Sequence, residues 1–433
     1  MSHPSSQLRA ALHAVGCKLN QYENQVWAQA FRALGYQIVP FDSEADVYVL
    51  NTCAVTSRTD RECRRLARSA RRRNPQALIV LTGCYVDVDS EALVEAGLAD
   101  LLLPRAEKPL LVARVDARIR GTGVSPSALP LLEEFTGHTR AFLKVQEGCA
   151  GGCTYCVIPR ARGPESSVPS QLVIEQARLL ARRHPELVLI GTHLGRYGRD
   201  LPGETTLAGL VERLTALPEL GRLRLSSLEP LEVTPELIAL LAAGKLCRHL
   251  HLPLQSGCDS VLARMNRPYD TAAYAELLAE LERRVPGVCL GADVMVGFPG
   301  ETETEFAQTL AFLERVPLAH LHVFTYSPRP GTAAAQMPGQ LAGHLKKERN
   351  HVLRALAERK RQAFAATQVG KRLQVVLETH AATGEVYGLS DNYLEVALDG
   401  AVGGRCLTLA EITRAEGDRL HGRLVPADLP GAM

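Results

Sequence analysis

The sequence predicts an α/β protein in three parts: an open parallel α/β sheet, a partial (β/α)6 barrel and a small all-β barrel of the OB-like kind. Three observations carry that prediction. Apolar runs alternate with amphipathic helical stretches in two successive series. A Gly/Pro/Ser-rich tract separates the series, and the C-terminal part breaks into short alternating runs punctuated by Gly and Asp. At 433 residues the chain is too long for one ordinary core, which agrees with two or three domains.

In the first series the strand-like runs are Arg9–Val15, Tyr36–Pro40, Val47–Leu50, Ala77–Leu81 and Leu101–Leu103. Amphipathic stretches such as Asn20–Leu34 and Arg58–Arg73 lie between them, the βαβ signature of a parallel sheet covered by helices. Gly121–Pro130 (GTGVSPSALP) is a linker, so the first domain spans 1–120 and the connection 121–139. The second series contains six strand-like runs: Ala141–Gln146, Leu187–Ile190, Arg222–Ser226, His249–Leu254, Val288–Val296 and Ala319–Thr325. Helical patterns including Ser170–Arg183, Glu204–Leu217 and Thr302–Arg315 fill the gaps. Six β/α units make part of an eight-stranded barrel, with the loops after the strands forming the active-site face. This domain spans 140–366 and leaves through the basic helical segment Leu345–Gln362. The runs LQVVLE, EVYGLS, YLEVAL and RLHGRLV then place the all-β barrel at 367–433.

Apolar residues at 46%, charged residues at 22% and a formal net charge of +2 describe an ordinary soluble chain. The apolar stretch Leu8–Gly16 has no small-residue cleavage site and reads as a first strand rather than an export signal. No uninterrupted apolar run reaches the roughly 20 residues that span a bilayer. A cytoplasmic protein with no membrane partner is therefore expected. In that reducing compartment its eleven cysteines are structural thiols, metal ligands or catalysts, not disulfides.

The strongest local signal is Gly148–Cys156 (GCAGGCTYC), which sets Cys149, Cys153 and Cys156 in a C-x3-C-x2-C array just after a strand. A short Gly-rich loop can wrap its thiolates around a compact inorganic cube, for which cysteine is the usual ligand. Three ligands on a four-iron cube leave one iron open, and an open metal position is what chemistry at the metal requires. The competing reading is zinc at Cys153 and Cys156. It is weakened because no second C-x2-C pair exists and structural zinc closes four ligands.

With Tyr155 as the aromatic residue before its last cysteine, the array resembles that of the radical S-adenosylmethionine superfamily. The resemblance implies that the open iron chelates the amino and carboxylate groups of S-adenosylmethionine, and that one electron through the cluster releases a deoxyadenosyl radical. Later strand ends fit such a cofactor. Gly191, Thr192 and His193 end the second strand, where backbone groups meet the methionine moiety. Ser227 and Glu229 lie in Ser226–Glu229 after the third strand, and Gln255 opens Gln255–Gly257 after the fourth. Asp293 and Gly297 belong to Asp293–Glu301 (DVMVGFPGE), whose glycines let backbone approach a flat adenine. Each Gly-rich turn taken singly is equally a tight turn and nothing more.

Cys17, Cys53 and Cys84 have no motif spacing, yet each follows a strand of the first domain: HAVGC, YVLNTC and IVLTGC. Strand C-termini of an open parallel sheet share one edge, where ligands bind, so three thiols there can converge on a second iron–sulfur cluster. The competing reading is that of buried free cysteines acting as small hydrophobes. Cys63 takes that role, on one helical face with Leu66, Ala67 and Ala70. Cys247, Cys258, Cys289 and Cys406 have no cysteine partner at ligand spacing.

The flanks GCKLNQYE, NTCAVT and TGC are similar to those of the methylthiotransferase family. Its members join a cluster-binding N-terminal domain, a radical-SAM barrel and a C-terminal TRAM barrel. The resemblance implies two 4Fe–4S clusters, an auxiliary one on Cys17, Cys53 and Cys84 and a radical-generating one on Cys149, Cys153 and Cys156. It further implies that S-adenosylmethionine is used twice, once as methyl donor to sulfur and once as the radical source that activates C2 of an adenine. Within the family the flanks look most like the bacterial type that acts on N6-threonylcarbamoyladenosine of tRNA. Isopentenyladenosine tRNA and a ribosomal-protein aspartate are the alternatives. The implied partners are the tRNA anticodon stem-loop and an electron donor such as a flavodoxin or ferredoxin, with the sulfur source left open. A non-catalytic iron–sulfur sensor is disfavoured, because it needs no nucleoside pocket.

Charge distribution supports RNA. Arg58, Arg61, Arg64, Arg65, Arg68, Arg71, Arg72 and Arg73 form a helical stripe able to neutralise phosphates. Lys346, Lys347, Arg349, Arg354, Arg359, Lys360 and Arg361 form a second basic segment. Against this, residues 368–429 carry six Lys/Arg and nine Asp/Glu, so the C-terminal barrel offers no general attraction for RNA.

Overall fold

Five parallel strands form the first sheet: β1 (Arg9–Ala14), β2 (Gln37–Val39), β3 (Val47–Thr52), β4 (Leu78–Gly83) and β5 (Leu101–Leu103), ordered β2-β1-β3-β4-β5. The computed structural model describes residues 7–124, 129–203, 205–379, 386–399, 404 and 406–425. Residues 125–128 of the expected linker, and residues 380–385 and 426–433 of the expected C-terminal barrel, lie outside the described residues.

Strands β3 and β4 are buried along their whole length, as expected of a parallel sheet covered on both faces. Alternate residues serve the two faces. Val47, Val49, Leu78 and Val80 pack with Trp27 and Phe31 of α1 (Lys18–Ala33) and with Leu111 and Val115. Tyr48, Leu50, Ile79 and Leu81 pack with Cys63, Ala67 and Ala70 of α2 (Ser57–Arg73). Helix α2 is so rich in arginine that only a narrow stripe of Cys63, Ala67 and Ala70, flanked by half-buried Leu66, packs on this core. Its start is fixed by a reciprocal capping box between Thr56 and Thr59.

The chain divides into two compact units, residues 1–136 with 147–165 and 327–335, and residues 137–146 with 166–326 and 336–433. The loop bearing Cys149, Cys153 and Cys156 thus belongs to the first unit. So does the segment 327–335, which buries Arg329 against Asp60 of α2 and joins the cysteine loop through Ala334 N–H to Thr154 O, 2.8 Å.

The second unit holds six parallel strands: β6 (Arg140–Lys144), β7 (Glu186–Ile190), β8 (Arg222–Leu225), β9 (His249–His251), β10 (Cys289–Val296) and β11 (His320–Thr325). They pair as two sheets of three, β6-β7-β8 and β9-β10-β11, rather than as one continuous ladder. Between β8 and β9, among the described residues, separate bonds connect from Cys247 N–H to Leu223 O and from Leu228 N–H to His251 O. Strand β9 is shorter than the expected His249–Leu254, and Pro253, which has no N–H to give a ladder, follows directly after Leu252.

A closed five-stranded barrel ends the chain: β12 (Arg372–Thr379), β13 (Val386–Ser390), β14 (Glu395–Asp399), β15 (Leu407–Glu416) and β16 (Arg419–Leu424), ordered β12-β13-β14-β16-β15. It is fastened to the N-terminal ends of β6, β7 and β8. Fully buried Glu186 accepts from Arg222 Nε (2.5 Å) and Arg224 Nε (2.8 Å). The same two arginines donate to the carbonyls of Gln374, Leu389, Ser390 and Asp391. Burial alone would raise Glu186, but Arg224 and Arg222 outweigh it and hold the carboxyl at about 2. Among the described residues no helix is long and apolar enough to cross a membrane.

Candidate iron–sulfur centre

Strands β1, β3 and β4 lie side by side and run on into Cys17, Cys53 and Cys84 at the same sheet edge. Cys17 is the N-cap of α1, and Cys84 opens α3 (Cys84–Val88). Gly16 has φ +87°, and a Cβ there would stand 2.6 Å from Cys53 Sγ, so only glycine lets the first cysteine's strand end come this close to the second cysteine. Cys53 is in electrostatic reach of both Cys17 and Cys84. Arg162 spans the other two, with Nε 3.3 Å from Cys84 Sγ and Nη2 3.8 Å from Cys17 Sγ. The three thiols therefore do gather.

Around them is a buried polar network that the sequence reading left unmarked. Besides the two thiols, Arg162 donates to Asn20 Oδ1 (2.5 Å), Glu23 Oε1 (2.9 Å) and Glu147 Oε1 (2.9 Å). Glu23 Oε2 accepts from Lys108 Nζ (2.7 Å) and Asn51 Nδ2 (2.8 Å). Asn20 Nδ2 donates to the carbonyls of Val15 (2.8 Å) and Thr52 (3.0 Å), tying the loop ends of β1 and β3 to α1. Asn20 and Glu23 stand three and six residues after Cys17, and that helical spacing from an N-cap cysteine was the available signal. Burial pushes the Cys53 thiol up to about 11 and raises Cys84 too, with Arg162 and Lys108 opposing it at Cys84. Cys63, pushed up to about 12 in the core, is the structural thiol expected of it.

The donor set discriminates between metals. Structural zinc closes four ligands, and this edge offers three thiols. A cube gives each thiol a different iron, so an all-cysteine triad spread along an edge with a guanidinium beside it fits an iron–sulfur cluster.

The other triad sits on one short loop in the same unit, with all three cysteines half-buried. Gly148 has φ +81°, and a Cβ there would collide with Pro164 O at 1.8 Å. The loop closes on itself through Cys149 N–H to Gly163 O (3.1 Å) and Cys156 N–H to Cys153 O (3.1 Å). Gly151 N–H points at Cys149 Sγ (3.2 Å), and Tyr155 is half-buried.

In the second unit, the ends of β7, β8 and β9 carry buried polar atoms without a hydrogen-bond partner among the described residues: Thr192 Oγ1, Ser226 Oγ and Gln255 Oε1. Gln255 also holds φ +72°, a left-handed backbone that a non-glycine residue adopts at a cost. Orphaned polar atoms at three adjacent strand ends suit a polar ligand such as an amino acid's ammonium and carboxylate. Other marked residues have partners within the unit. The His193 ring meets Glu232 (2.9 Å), and the His193 backbone N–H donates to Gln146 Oε1, beside which Gly191 packs. Glu229 is paired with Arg267, while Ser227 is exposed. Burial would raise Asp293, but hydrogen bonds from His251 Nε2 (3.1 Å) and His322 Nδ1 (2.8 Å) hold its carboxyl well below the usual range. Gly297 has the stem of Lys346 packed over it, 2.5 Å from where its Cβ would stand.

Of the eight α2 arginines, Arg58, Arg61, Arg65, Arg68 and Arg72 are exposed, at successive spacings of three and four that form one face. The remaining three are engaged in the fold: Arg64 with Tyr85, Arg71 with Asp100, and Arg73 with Phe41 O. Of the second basic segment, Lys347, Arg354 and Arg359 are exposed, whereas the other four cations are engaged in the fold. Arg349 is buried against Glu301, Lys346 lies over Tyr326, Lys360 donates to Glu314 O and Val316 O, and Arg361 pairs with Asp418. These cations serve packing.

Residues 9–103 match the uncharacterised protein family UPF0004, and residues 143–313 match the radical SAM superfamily. The chain is 37% identical to the threonylcarbamoyladenosine tRNA methylthiotransferase MtaB of Bacillus subtilis, with 90% of each chain covered. It is 36% identical to the protein of the same name from Aquifex aeolicus, over 91% of this chain and 97% of that one. It is also 35% identical to the tRNA-2-methylthio-N(6)-dimethylallyladenosine synthase of Moorella thermoacetica, over 85% and 86%. Among solved structures, the radical S-adenosylmethionine methyltransferase TsrM of Kitasatospora setae superposes with a TM-score of 0.58 at 16% identity, over 76% of this chain and 77% of that one. That likeness concerns the fold.

Proposed function

This chain belongs to the radical-SAM methylthiotransferases, a family of enzymes, and from that membership we propose that it attaches a methylthio group to C2 of N6-threonylcarbamoyladenosine beside the anticodon of tRNA. The observation that carries the reading is the gathering of Cys17, Cys53 and Cys84 at one sheet edge, in the same compact unit as the loop of Cys149, Cys153 and Cys156. Two all-thiol triads suit two 4Fe–4S clusters. Bound there, the clusters and S-adenosylmethionine would supply the methyl group and the radical chemistry, with the source of the inserted sulfur left open.

The chain's own residues bind, orient and shield. Cys17, Cys53 and Cys84 hold the auxiliary cluster, and Cys149, Cys153 and Cys156 the radical-generating one. Thr192, Ser226 and Gln255 offer polar atoms to the cofactor, with Tyr155, Gly191, His193, Ser227, Glu229, Asp293 and Gly297 shaping its surroundings. The exposed α2 arginines neutralise tRNA phosphates. In this reading residues 1–120 form the auxiliary-cluster domain, 140–366 the radical-SAM domain and 367–433 the TRAM domain, with a flavodoxin or ferredoxin as electron donor.

The threonylcarbamoyl substrate is supported by the names of the Bacillus and Aquifex relatives. A second reading, dimethylallyladenosine, is favoured by the Moorella relative. Reconstituted enzyme given a reductant, S-adenosylmethionine and two tRNA preparations separates them. Methylthiolation of the threonylcarbamoyl-bearing tRNA alone is expected, and modification of only the dimethylallyl-bearing tRNA would replace the first reading by the second.

A further inference from the structure

We infer that Arg162 is the positioning residue that joins the two cysteine triads, holding the thiols of the second by N–H···S bonds and raising the reduction potential of the cluster they carry. The inference rests on the two-cluster reading. Arg162 ends the short helix Ile158–Arg162, which starts two residues after Cys156, so the loop that carries one triad delivers this side chain to the other. It is only 2% exposed. Its guanidinium meets Cys84 Sγ through Nε and Cys17 Sγ through Nη2, while Glu23, Glu147 and Asn20 take the remaining N–H directions.

Five acceptors around one planar fork is a task for arginine, since a lysine ammonium has three donors at a single point. The carboxylates fix the guanidinium's plane, and the plane fixes which sulfurs it addresses. Hydrogen bonds and positive charge at cluster sulfurs stabilise the reduced state and thereby raise the potential. A merely structural Arg162, present only to neutralise Glu23 and Glu147, would act through its charge alone, so R162K would match the parent, and Lys108 already serves Glu23 from the other side.

The test uses the full chain with Cys149, Cys153 and Cys156 all replaced by Ala, so that only the second triad can hold iron. Midpoint potentials are read by EPR-monitored titration for this protein and for its R162Q and R162K versions. The expected result is a shift to more negative potential in R162Q and a smaller shift of the same sign in R162K. The radical cluster, measured in a C17A/C53A/C84A chain, should be less affected by R162Q. Full iron content with an unmoved potential in R162Q overturns the inference. If R162Q takes up no iron, R162K decides, and a potential identical to the parent's overturns the inference equally. A parent protein that binds no iron at all defeats the two-cluster reading instead, which keeps the two failures apart.

Discussion

Cys53 and Cys84 are buried while Cys17 is exposed, so the edge has a closed side and an open one. On the proposed reading, that open side is where a methyl donor or a nucleoside reaches the cluster held by Cys17, Cys53 and Cys84. Cys17→Ala is accordingly expected to leave reductive release of deoxyadenosine intact and to abolish methylthiolated product. Chromatography of both products checks this, and continued methylthiolation would contradict it. Gly16→Ala is expected to cost roughly 1–3 kcal/mol, the range for a strained backbone position, and to lower iron content, since its Cβ needs the space of Cys53 Sγ. Thermal denaturation and iron analysis measure the two effects. The cysteines were legible in the sequence because each follows a strand, and the strand ends of an open parallel sheet share one edge. Lys108 and Arg162 were not, because a polar residue buried by a distant partner looks in sequence like any solvated one, and Asn20 and Glu23 stood out only as part of GCKLNQYE, with no role attached.

Helix α2 shows both the reach and the limit of periodicity. Spacings of three and four identified a charged face, and the structure leaves Arg58, Arg61, Arg65, Arg68 and Arg72 exposed on it. The same logic applied to residues 346–361 pointed to a second basic face, of which Lys347, Arg354 and Arg359 stay exposed, while Arg349, Lys346, Lys360 and Arg361 are engaged with Glu301, Tyr326, the carbonyls of Glu314 and Val316, and Asp418. Periodicity says which residues share a face, and tertiary packing says what waits opposite. Replacing Arg58, Arg61 and Arg68 together by Gln should weaken tRNA binding. The slope of log K against log salt should become shallower by about 0.7–0.9 per lost phosphate contact, roughly 2–3 in all. Arg71→Gln, which breaks the pair with Asp100, should instead lower stability and leave that slope unchanged. Filter binding at several salt concentrations distinguishes the two.

Across the whole molecule, the fold class was written in the two alternating series and the closing β runs, but the division of the barrel strands into two sheets of three was not. Nor was the docking of the C-terminal barrel on Glu186, Arg222 and Arg224, whose pairing is set by strand register. Removing that carboxylate leaves two buried guanidiniums without their counter-ion, so Glu186→Gln is expected to destabilise by about 3–5 kcal/mol. The folded-state value of Glu186, about 2, lies below its ordinary 4.5. The stabilisation is therefore fully present above about pH 4.5 and is lost as pH falls towards 2. Acid unfolding of wild type and variant should converge there, and a gap that persisted at pH 2 would contradict the assignment. The central claim, that this enzyme methylthiolates threonylcarbamoyladenosine of tRNA, is tested most directly by mass spectrometry of tRNA nucleosides from cells with and without the gene. Specific loss of 2-methylthio-N6-threonylcarbamoyladenosine is the predicted result, and its persistence while a methylthio-isopentenyladenosine disappears would contradict the account.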